Sequence, residues 1–201
     1  MSTSKKMFLV WGYALGAALR LLSSHLSHRA VILHQQTGDN AYSTAIRAWG
    51  FTSTFASLFV FVILAVSVYT FWKAIQSEKG AISPIAAAGL MFVPVFNLYW
   101  FFRAIWGFAR AYNRSLQNLK SGLPRLSEKL FAAFTILLFV RWFYMALTTV
   151  QQFAIGRGWL LGPYSYIITV PMFVLGTAVI YTGCDAVMAI SSRTEGEIRP
   201  A

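Results

Sequence analysis

Residues 83–114, SPIAAAGLMFVPVFNLYWFFRAIWGFARAYNR, form the stretch that decides the fold of this chain. Ser83 and Pro84 predict a helix start, because serine caps helices well and proline fits their first turn. Pro94 and Asn97 interrupt the apolar run about ten residues later, and proline disfavours helix at the residue before it. Ten helical residues reach only ~15 Å, half the hydrocarbon thickness of a bilayer. The stretch therefore predicts two short helices joined by a break.

The composition indicates the class of protein. Of the 201 residues, 57% are hydrophobic and only 11% are charged, whereas soluble domains carry about 25% charged residues. Residues 48–72 hold no charged side chain, and a spanning helix needs roughly 20 apolar residues. The net charge of +11 comes from basic residues between the apolar runs, which is typical of loops that orient a membrane protein. The pattern indicates an integral membrane protein and argues against nucleic-acid binding, since no basic domain stands apart.

The apolar segments predict one transmembrane domain over residues 1–192, followed by a disordered tail over 193–201. Its helices are predicted at about 7–29, 48–72, 84–113 (re-entrant), 130–150 and 164–190, with a polar first loop at 34–46. Lys5 and Lys6 before an apolar run resemble the start of a signal peptide. Arg20 interrupts that run and no clean small-residue cleavage site follows, so we expect the segment to be retained.

The distribution of basic residues distinguishes two topologies. With the N-terminus inside, five crossings would place the basic loop at 110–129 outside, against the positive-inside rule. If residues 83–114 enter and leave on one side, eleven Lys and Arg residues are cytoplasmic and three are external. The cytoplasmic set is Lys5, Lys6, Lys73, Lys79, Arg110, Arg114, Lys120, Arg125, Lys129, Arg193 and Arg199, and the external set is Arg29, Arg47 and Arg157. A turn at membrane depth is tolerated where protein surrounds it.

We therefore predict an all-α integral membrane helical bundle of four transmembrane helices plus a re-entrant helical hairpin, with both termini cytoplasmic. The alternative is five apolar helices, in which the third spans fully and the first lies in the interface. We prefer the re-entrant arrangement because residues 7–19 are apolar, as an embedded helix requires.

A motif in the same region resembles a known family. It consists of Ser83-Pro84, residues 92–100 (FVPVFNLYW), and Ala104 and Trp106 in the basic helix that follows, preceded by the run 69–74. This combination is similar to a bacterial family of multi-pass membrane proteins, domain of unknown function four-three-two-eight. The specific match covers about residues 69–114, and the chain departs from the family in its rich aromatic content and histidine-containing first loop. The resemblance implies a bacterial cytoplasmic (inner) membrane location, no assigned activity and no catalytic residues.

Four charged residues lie within or beside the apolar segments: Arg20, Arg103, Arg141 and Asp185. Such groups are expensive in lipid and normally face protein or water. Counted from the cytoplasmic ends of their helices, Arg141 and Arg20 lie about 18 and 20 Å deep. Three arginines against one acid leave at least two that need another partner, such as backbone carbonyls, lipid phosphates or an anionic ligand. Arg103 and Asp185 are expected to snorkel to the interface as structural residues.

A candidate polar cluster combines the hairpin with the fourth segment. Arg141, Tyr144 and Thr148 fall on one helical face, which we expect to point at Asn97 in the turn. A polar mid-membrane site built from a broken helix is typical of transporters, although the same cluster would also lock a bundle together. No acidic residue accompanies it at mid-depth, so the usual relay for cations or protons is missing.

Two features predict contact with other helices. Gly12 and Gly16 form a GxxxG pair, which allows a neighbouring backbone to approach closely. The aromatic run between Phe92 and Phe108 is a second surface for a partner or, more simply, part of the packed core. We expect the lipid bilayer as environment, and other membrane helices or a second copy as partners.

Other chemistries find no support in the sequence. Cys184 is the only cysteine, so a disulfide within the chain and a thiolate metal cluster are excluded. His25, His28 and His34 predict a polar interfacial face; His25 and His28 have the spacing of metal ligands, but no cysteine or glutamate accompanies them. No catalytic motif is present, so we expect no cofactor, no metal and no enzyme activity.

Two functions are consistent with these observations. The first is a non-catalytic accessory or assembly subunit that binds partner helices or lipids. The second is a small channel or transporter for an anionic or polar solute, lined by the broken third segment and Arg141.

Overall fold

The computed structural model describes residues 1–76, 82–93, 96–118, 122–155 and 165–198. Within these ranges the chain is an all-α bundle without strands, and four helices are long and apolar enough to cross a membrane. The helices are α1 (Thr3–Thr37), α2 (Ala41–Ala74), α3 (Pro84–Gly89), α4 (Phe96–Phe101), α5 (Gly107–Asn118), α6 (Glu128–Ile155) and α7 (Ser165–Ile198). A 3₁₀ turn (Leu90–Phe92) extends α3, and a π-helical turn (Phe102–Trp106) joins α4 to α5.

Helices α1 and α2 form a long antiparallel hairpin with a very short connection. Gly38 ends α1 in the left-handed region (φ 69°), where its N–H donates to the carbonyl of His34 at 2.9 Å. The Asp39 carboxylate then accepts from the N–H of Ala41 at 2.8 Å and starts α2. The predicted end of the first helix at 29, the predicted start of the second at 48 and the predicted loop at 34–46 are therefore wrong. The apolar pattern marks only the part suited to lipid, whereas a nucleated helix elongates cheaply through polar residues.

The GxxxG pair of α1 is used for close packing, as predicted. A Cβ added at Gly16 would meet side chains of Phe59 and Val60 at 2.9 Å, and one added at Gly12 would meet Ile63 at 3.4 Å. The helix that approaches is α2 of the same chain. The prediction that the Gly12/Gly16 face binds a partner helix is therefore wrong, because the chain itself covers that face.

Two further glycines on α7 admit aromatic rings, and the sequence reading missed them. A Cβ at Gly176 would overlap the ring and hydroxyl of Tyr13 from α1, and one at Gly183 would overlap the ring of Phe71 from α2. Tyr13 and Phe71 are both almost fully buried. Helix α7 thus packs into the α1–α2 hairpin through glycines spaced seven residues apart, which is two helical turns on one face.

The third segment is a broken helix that folds back on itself. The Ser83 hydroxyl caps α3 by accepting from the N–H of Ala86 at 3.2 Å, and Val93 is extended (ψ 114°) after the 3₁₀ turn. Past the break, the indole N–H of Trp100 donates to the carbonyl of Ala87 at 3.0 Å. The two arms therefore lie side by side, and whether the third segment spans the membrane or is re-entrant stays a prediction. Pro94 lies outside the described residues.

The hairpin made by α3, α4 and α5 packs along α2. At its turn, the ring of Phe61 on α2 contacts Phe92 and Phe101 at centroid distances of 4.9 and 6.3 Å. Further along, the indole N–H of Trp72 donates to the carbonyl of Ala104 in the π turn at 2.8 Å. Phe61 and Trp72 are ~16 Å apart along the helix axis, so the turn of the hairpin reaches the middle of α2.

The first residues of α1 and the region of α7 around Asp185 and Ser191 lie at one end of the bundle, which we call the Lys6 end. The ammonium group of Lys6 pairs with the carboxylate of Asp185 at 2.6 Å. The amino group of Met1 donates to the Ser191 hydroxyl at 3.4 Å. The opposite end carries the α1–α2 turn, and we call it the Gly38 end. Of the charges counted for topology, Lys79, Lys120, Arg157 and Arg199 lie outside the described residues.

The final two long helices also exceed their predicted bounds. Helix α6 covers Glu128–Ile155 where 130–150 was expected, and α7 covers Ser165–Ile198 where 164–190 was expected. The prediction of a disordered tail from residue 193 is therefore wrong as far as Ile198, since the polar residues SSRTEGE continue an existing helix. Pro171 lies within α7 without ending it.

Candidate functional site

A cavity of about 420 Å³ lies in the middle of the bundle, between α1, α2, the hairpin, α6 and α7. Its polar side chains are Tyr13, Arg20, Ser57 and Arg141. The remaining lining residues are Val60, Phe61, Leu64, Phe101, Leu138, Trp142, Met145, Met172 and Phe173. The cavity is therefore an apolar chamber into which two guanidinium groups project from different helices.

Arg20 is held in place by α2. Its Nε–H donates to the hydroxyl of Ser57 at 2.6 Å, and that hydroxyl donates in turn to the carbonyl of Ser53 at 2.7 Å. The second bond is a serine-to-backbone bond within one helix, a common way to satisfy a hydroxyl in an apolar span. Ser57 is thus a fixed acceptor that orients the Arg20 guanidinium into the cavity.

Arg141 enters the cavity from α6 without a comparable anchor. Its Nη1 nitrogen is buried and has no hydrogen-bond partner in the described part of the chain. Arg20 also lies close enough to Arg141 for the two charges to repel each other. The site therefore has one unsatisfied donor and an excess of positive charge. Both cost folding free energy, because a buried donor without an acceptor and a buried charge without a counter-charge lose their interactions with water.

No carboxylate lines this cavity among the described residues. Asp185 is ~20 Å away along α7 from Met172, where it pairs with Lys6. The ammonium of Lys6 also lies over the ring of Tyr181, 3.5 Å from its centroid. Asp185 was expected to snorkel to the interface as a structural residue, and Lys6 was counted only as a cytoplasmic charge. Their pairing joins the first helix to the last, and nothing local in either sequence signals it.

The predicted polar cluster is only partly assembled. Arg141 lines the cavity beside Phe101 of the hairpin, and Tyr144 lies close enough to interact with it. The hydroxyl of Thr148 instead donates to Met145 of its own helix at 2.9 Å, and the side chain of Asn97 lies outside the described residues. The group that converges is Arg20, Ser57 and Arg141. The equal depths of the two arginines were readable from the sequence, but their shared cavity was not.

The remaining predicted residues lie away from this site. Arg103 is exposed on the π turn. His34 interacts through Nδ1 with the carbonyl of Asp39 at 2.9 Å, at the α1–α2 turn. No group of three His, Cys, Asp or Glu side chains that could hold a metal ion occurs among the described residues. Cys184 is buried beside the Lys6 end.

Five aromatic side chains fill the bundle between the cavity and the Lys6 end, and we call them the aromatic plug: Phe71, Phe108, Tyr112, Phe131 and Phe134. Each is at most 2% exposed. Phe108 stands at the centre, with ring centroids 5.0 Å from Phe71, 6.1 Å from Tyr112 and 6.2 Å from Phe131. Because protein interiors are close-packed, such a layer leaves no room for a solute to pass. The cavity is closed on this side.

A buried asparagine holds the backbone below the plug. The amide of Asn113 donates to the carbonyl of Leu126 at 3.0 Å and to the carboxylate of Glu128 at 3.1 Å. Its oxygen accepts from the N–H of Leu126 at 2.9 Å. These bonds fix the segment before α6, and so fix the helix that carries Arg141.

No family model matches this chain, and neither a curated protein nor a solved structure matches it.

Proposed function

We propose that this chain is a multi-pass protein of the bacterial cytoplasmic membrane, with both termini cytoplasmic and residues 83–114 re-entrant. The positive-inside rule supports the Lys6 end as the cytoplasmic end, because the excess of Lys and Arg falls in the segments that meet there. The folded-back hairpin, whose turn lies beside the middle of α2, supports the re-entrant geometry. The ring of Phe61 on α2 contacts Phe92 and Phe101 beside the turn, and backbone at membrane depth needs protein around it.

Reporter fusions test this topology. A reporter placed after Lys79 and another after Lys120 should both report a cytoplasmic position, because the hairpin begins and ends on one side. An external signal at Lys79 with a cytoplasmic one at Lys120 would overturn the re-entrant geometry.

We infer that the protein acts by binding an anion within the membrane, without catalysing a reaction on it. The observation that carries this proposal is the convergence of Arg20 and Arg141 on one cavity, with an unpaired donor on Arg141 and no lining carboxylate among the described residues. Charged groups inside the membrane mark ligand or ion sites more often than structural ones. Guanidinium groups present a planar fork of donors that matches carboxylate or phosphate oxygens.

Binding fits the geometry better than conduction through an open pore. The aromatic plug occupies the half of the bundle on the Lys6 side, so a solute in the cavity has no path through it. Transport of the same anion is the second candidate, supported by the broken helix beside the cavity. It would require the plug to move. An accessory role remains compatible with anion or lipid binding, but it would have to use a surface other than Gly12/Gly16.

The head-group preference of the site tests the proposal. Dodecanoate, dodecanol and dodecyltrimethylammonium share one chain and differ in charge, so each is added to the purified protein in neutral detergent. Dodecanoate should raise the unfolding temperature more than dodecanol does, and the cationic probe should not raise it. Equal shifts for dodecanoate and dodecanol would mean that the arginines do not bind an anion.

A further inference from the structure

The cavity is larger than a small inorganic anion needs. Its volume is about 420 Å³, whereas one water molecule takes up about 30 Å³ of the liquid. An anion of a few atoms between Arg20 and Arg141 would leave most of the chamber lined by carbon and without polar partners. Empty apolar space of this kind stays dry and loses contacts on every wall, so a ligand with a substantial apolar part fits it better.

The polar and apolar walls are separated along the axis of the bundle. Arg20 lies ~21 Å along α1 from Lys6, and Arg141 ~20 Å along α6 from Glu128. Leu64 and Leu138 line the cavity nearer the Lys6 end. Leu64 lies about two turns from Ser57 in that direction along α2, and Leu138 about one turn from Arg141 along α6. Among the described lining residues, Tyr13 is the one polar group at this inner end, and its hydroxyl packs against Gly176. The cavity therefore has a cationic outer end and an apolar inner end.

The rim of the cavity faces the surroundings of the bundle through α6. Trp142 and Met145 line the cavity, yet they are 37% and 46% exposed. Both lie within Glu128–Thr148, the part of α6 apolar enough to cross a membrane. In the proposed topology their exposed faces meet lipid. Since the aromatic plug closes the side toward the Lys6 end, a molecule in the bilayer can reach the arginines past these two residues.

We propose that the ligand is an amphiphile with one oxyanion head group and one apolar chain, taken laterally from the bilayer. The head would lie between Arg20 and Arg141, and the chain would point along Leu138 toward the aromatic plug. In this orientation the head lies at the depth of the two arginines, and the chain runs from there toward the Lys6 end. The inference rests on the proposed function and adds the chain to it. Carboxylate and phosphate monoester heads share the required chemistry.

Chain length is the variable that tests this inference separately from head-group charge. Radiolabelled dodecanoate is bound to the protein in neutral detergent and displaced by butyrate, unlabelled dodecanoate or dodecyl phosphate. Each buried methylene favours binding, so dodecanoate should bind at least about tenfold more tightly than butyrate. The comparison of dodecanoate with dodecyl phosphate identifies the head group. Equal binding of butyrate and dodecanoate would overturn the amphiphile and leave the anion site standing.

Leu138→Phe provides the matched variant. The larger ring would occupy the inner end of the cavity without touching the charge of either arginine. We expect it to weaken dodecanoate binding severalfold and to leave butyrate binding unchanged. Equal weakening of both probes, with unfolding temperature preserved, would contradict a chain site at the inner end.

A photoreactive dodecanoate tests the orientation. With a diazirine at the chain terminus, the site predicts labelling of peptides that contain Tyr13 or Leu64, at the inner end. Labelling confined to the peptide with Trp142 and Met145 would overturn the proposed direction of the chain.

Discussion

At the scale of single residues, Arg141, which has an unsatisfied hydrogen-bond donor, is more informative than Arg20, whose Nε–H has an acceptor. Arg20 has Ser57, and a serine acceptor at this position explains its presence in an apolar helix. Arg141 has a buried nitrogen without a hydrogen bond and lies near a second positive charge. Stability of the fold alone does not explain why an arginine occupies position 141, since apolar residues often replace buried charges without lowering the free energy of unfolding.

Arg141→Met should therefore leave the unliganded protein as stable as the wild type, or more stable. The methionine has a similar length and removes the charge repelled by Arg20. The apparent unfolding temperature in neutral detergent measures the effect, at roughly 2–4 °C per kcal/mol for a chain of this size. Arg103→Met, which removes an exposed charge, serves as the control. A fall of several degrees for Arg141→Met alone would show that the guanidinium stabilises the empty bundle.

The ion pair between Lys6 and Asp185 should contribute little to stability, although it joins α1 to α7. The carboxylate side chain is 44% exposed, so solvent screens the pair and about 0.5–1 kcal/mol is expected. Lys6→Met should lower the unfolding temperature by a few degrees, and Lys5→Met, one residue away and exposed, should not. Identical effects of the two substitutions would mean that the pair contributes nothing beyond general charge.

At the scale of elements, the sequence predicted where the third segment breaks but not how far the long helices run. Ser83-Pro84 and the Pro94–Asn97 region carry specific backbone chemistry, so their effect is local and readable. The ends of α1, α2 and α7 are set by capping and elongation beyond the apolar runs, which hydropathy does not report. The packing of Tyr13 against Gly176 depends on helices far apart in sequence, so it was not foreseen.

The bond from Trp100 to Ala87 should stabilise the hairpin fold. Trp100→Phe keeps an aromatic ring but leaves the buried carbonyl of Ala87 without this donor, at an expected cost of about 1–2 kcal/mol. Tyr99→Phe, at the exposed neighbouring position, should cost almost nothing. Unfolding temperatures of the two variants give the comparison, and equal values would show that the indole N–H does not hold the arms together.

Gly176→Ala should destabilise the bundle more than glycine replacements elsewhere. The added methyl overlaps the ring of Tyr13, and overpacking of this kind costs about 1–3 kcal/mol. Gly50→Ala is the control, because a Cβ at Gly50 meets nothing within 4 Å. The double variant Gly176→Ala with Tyr13→Leu should recover part of the loss. Failure of any recovery would place the cost elsewhere than at the Tyr13 ring.

At the scale of the whole molecule, the cavity exists because five elements meet around it. Counting residues along the first and fourth apolar segments placed Arg20 and Arg141 at similar depths in the membrane. That part of the site was predictable from the sequence. Their convergence, the aromatic plug and the pairing of Lys6 with Asp185 depend on which helix faces which, and no local pattern encodes that. The resemblance over residues 69–114 stays a prediction, as do the membrane topology and the anionic ligand.

The central claim is that two arginines of separate helices bind one anion inside the bundle. The most direct measurement is the affinity of radiolabelled dodecanoate for the wild type, Arg141→Met and Arg103→Met in the same neutral detergent. We expect Arg141→Met to lose at least about tenfold in affinity, which corresponds to 1.4 kcal/mol, and Arg103→Met to match the wild type. Dodecanoate binding by Arg141→Met at wild-type affinity would contradict the account.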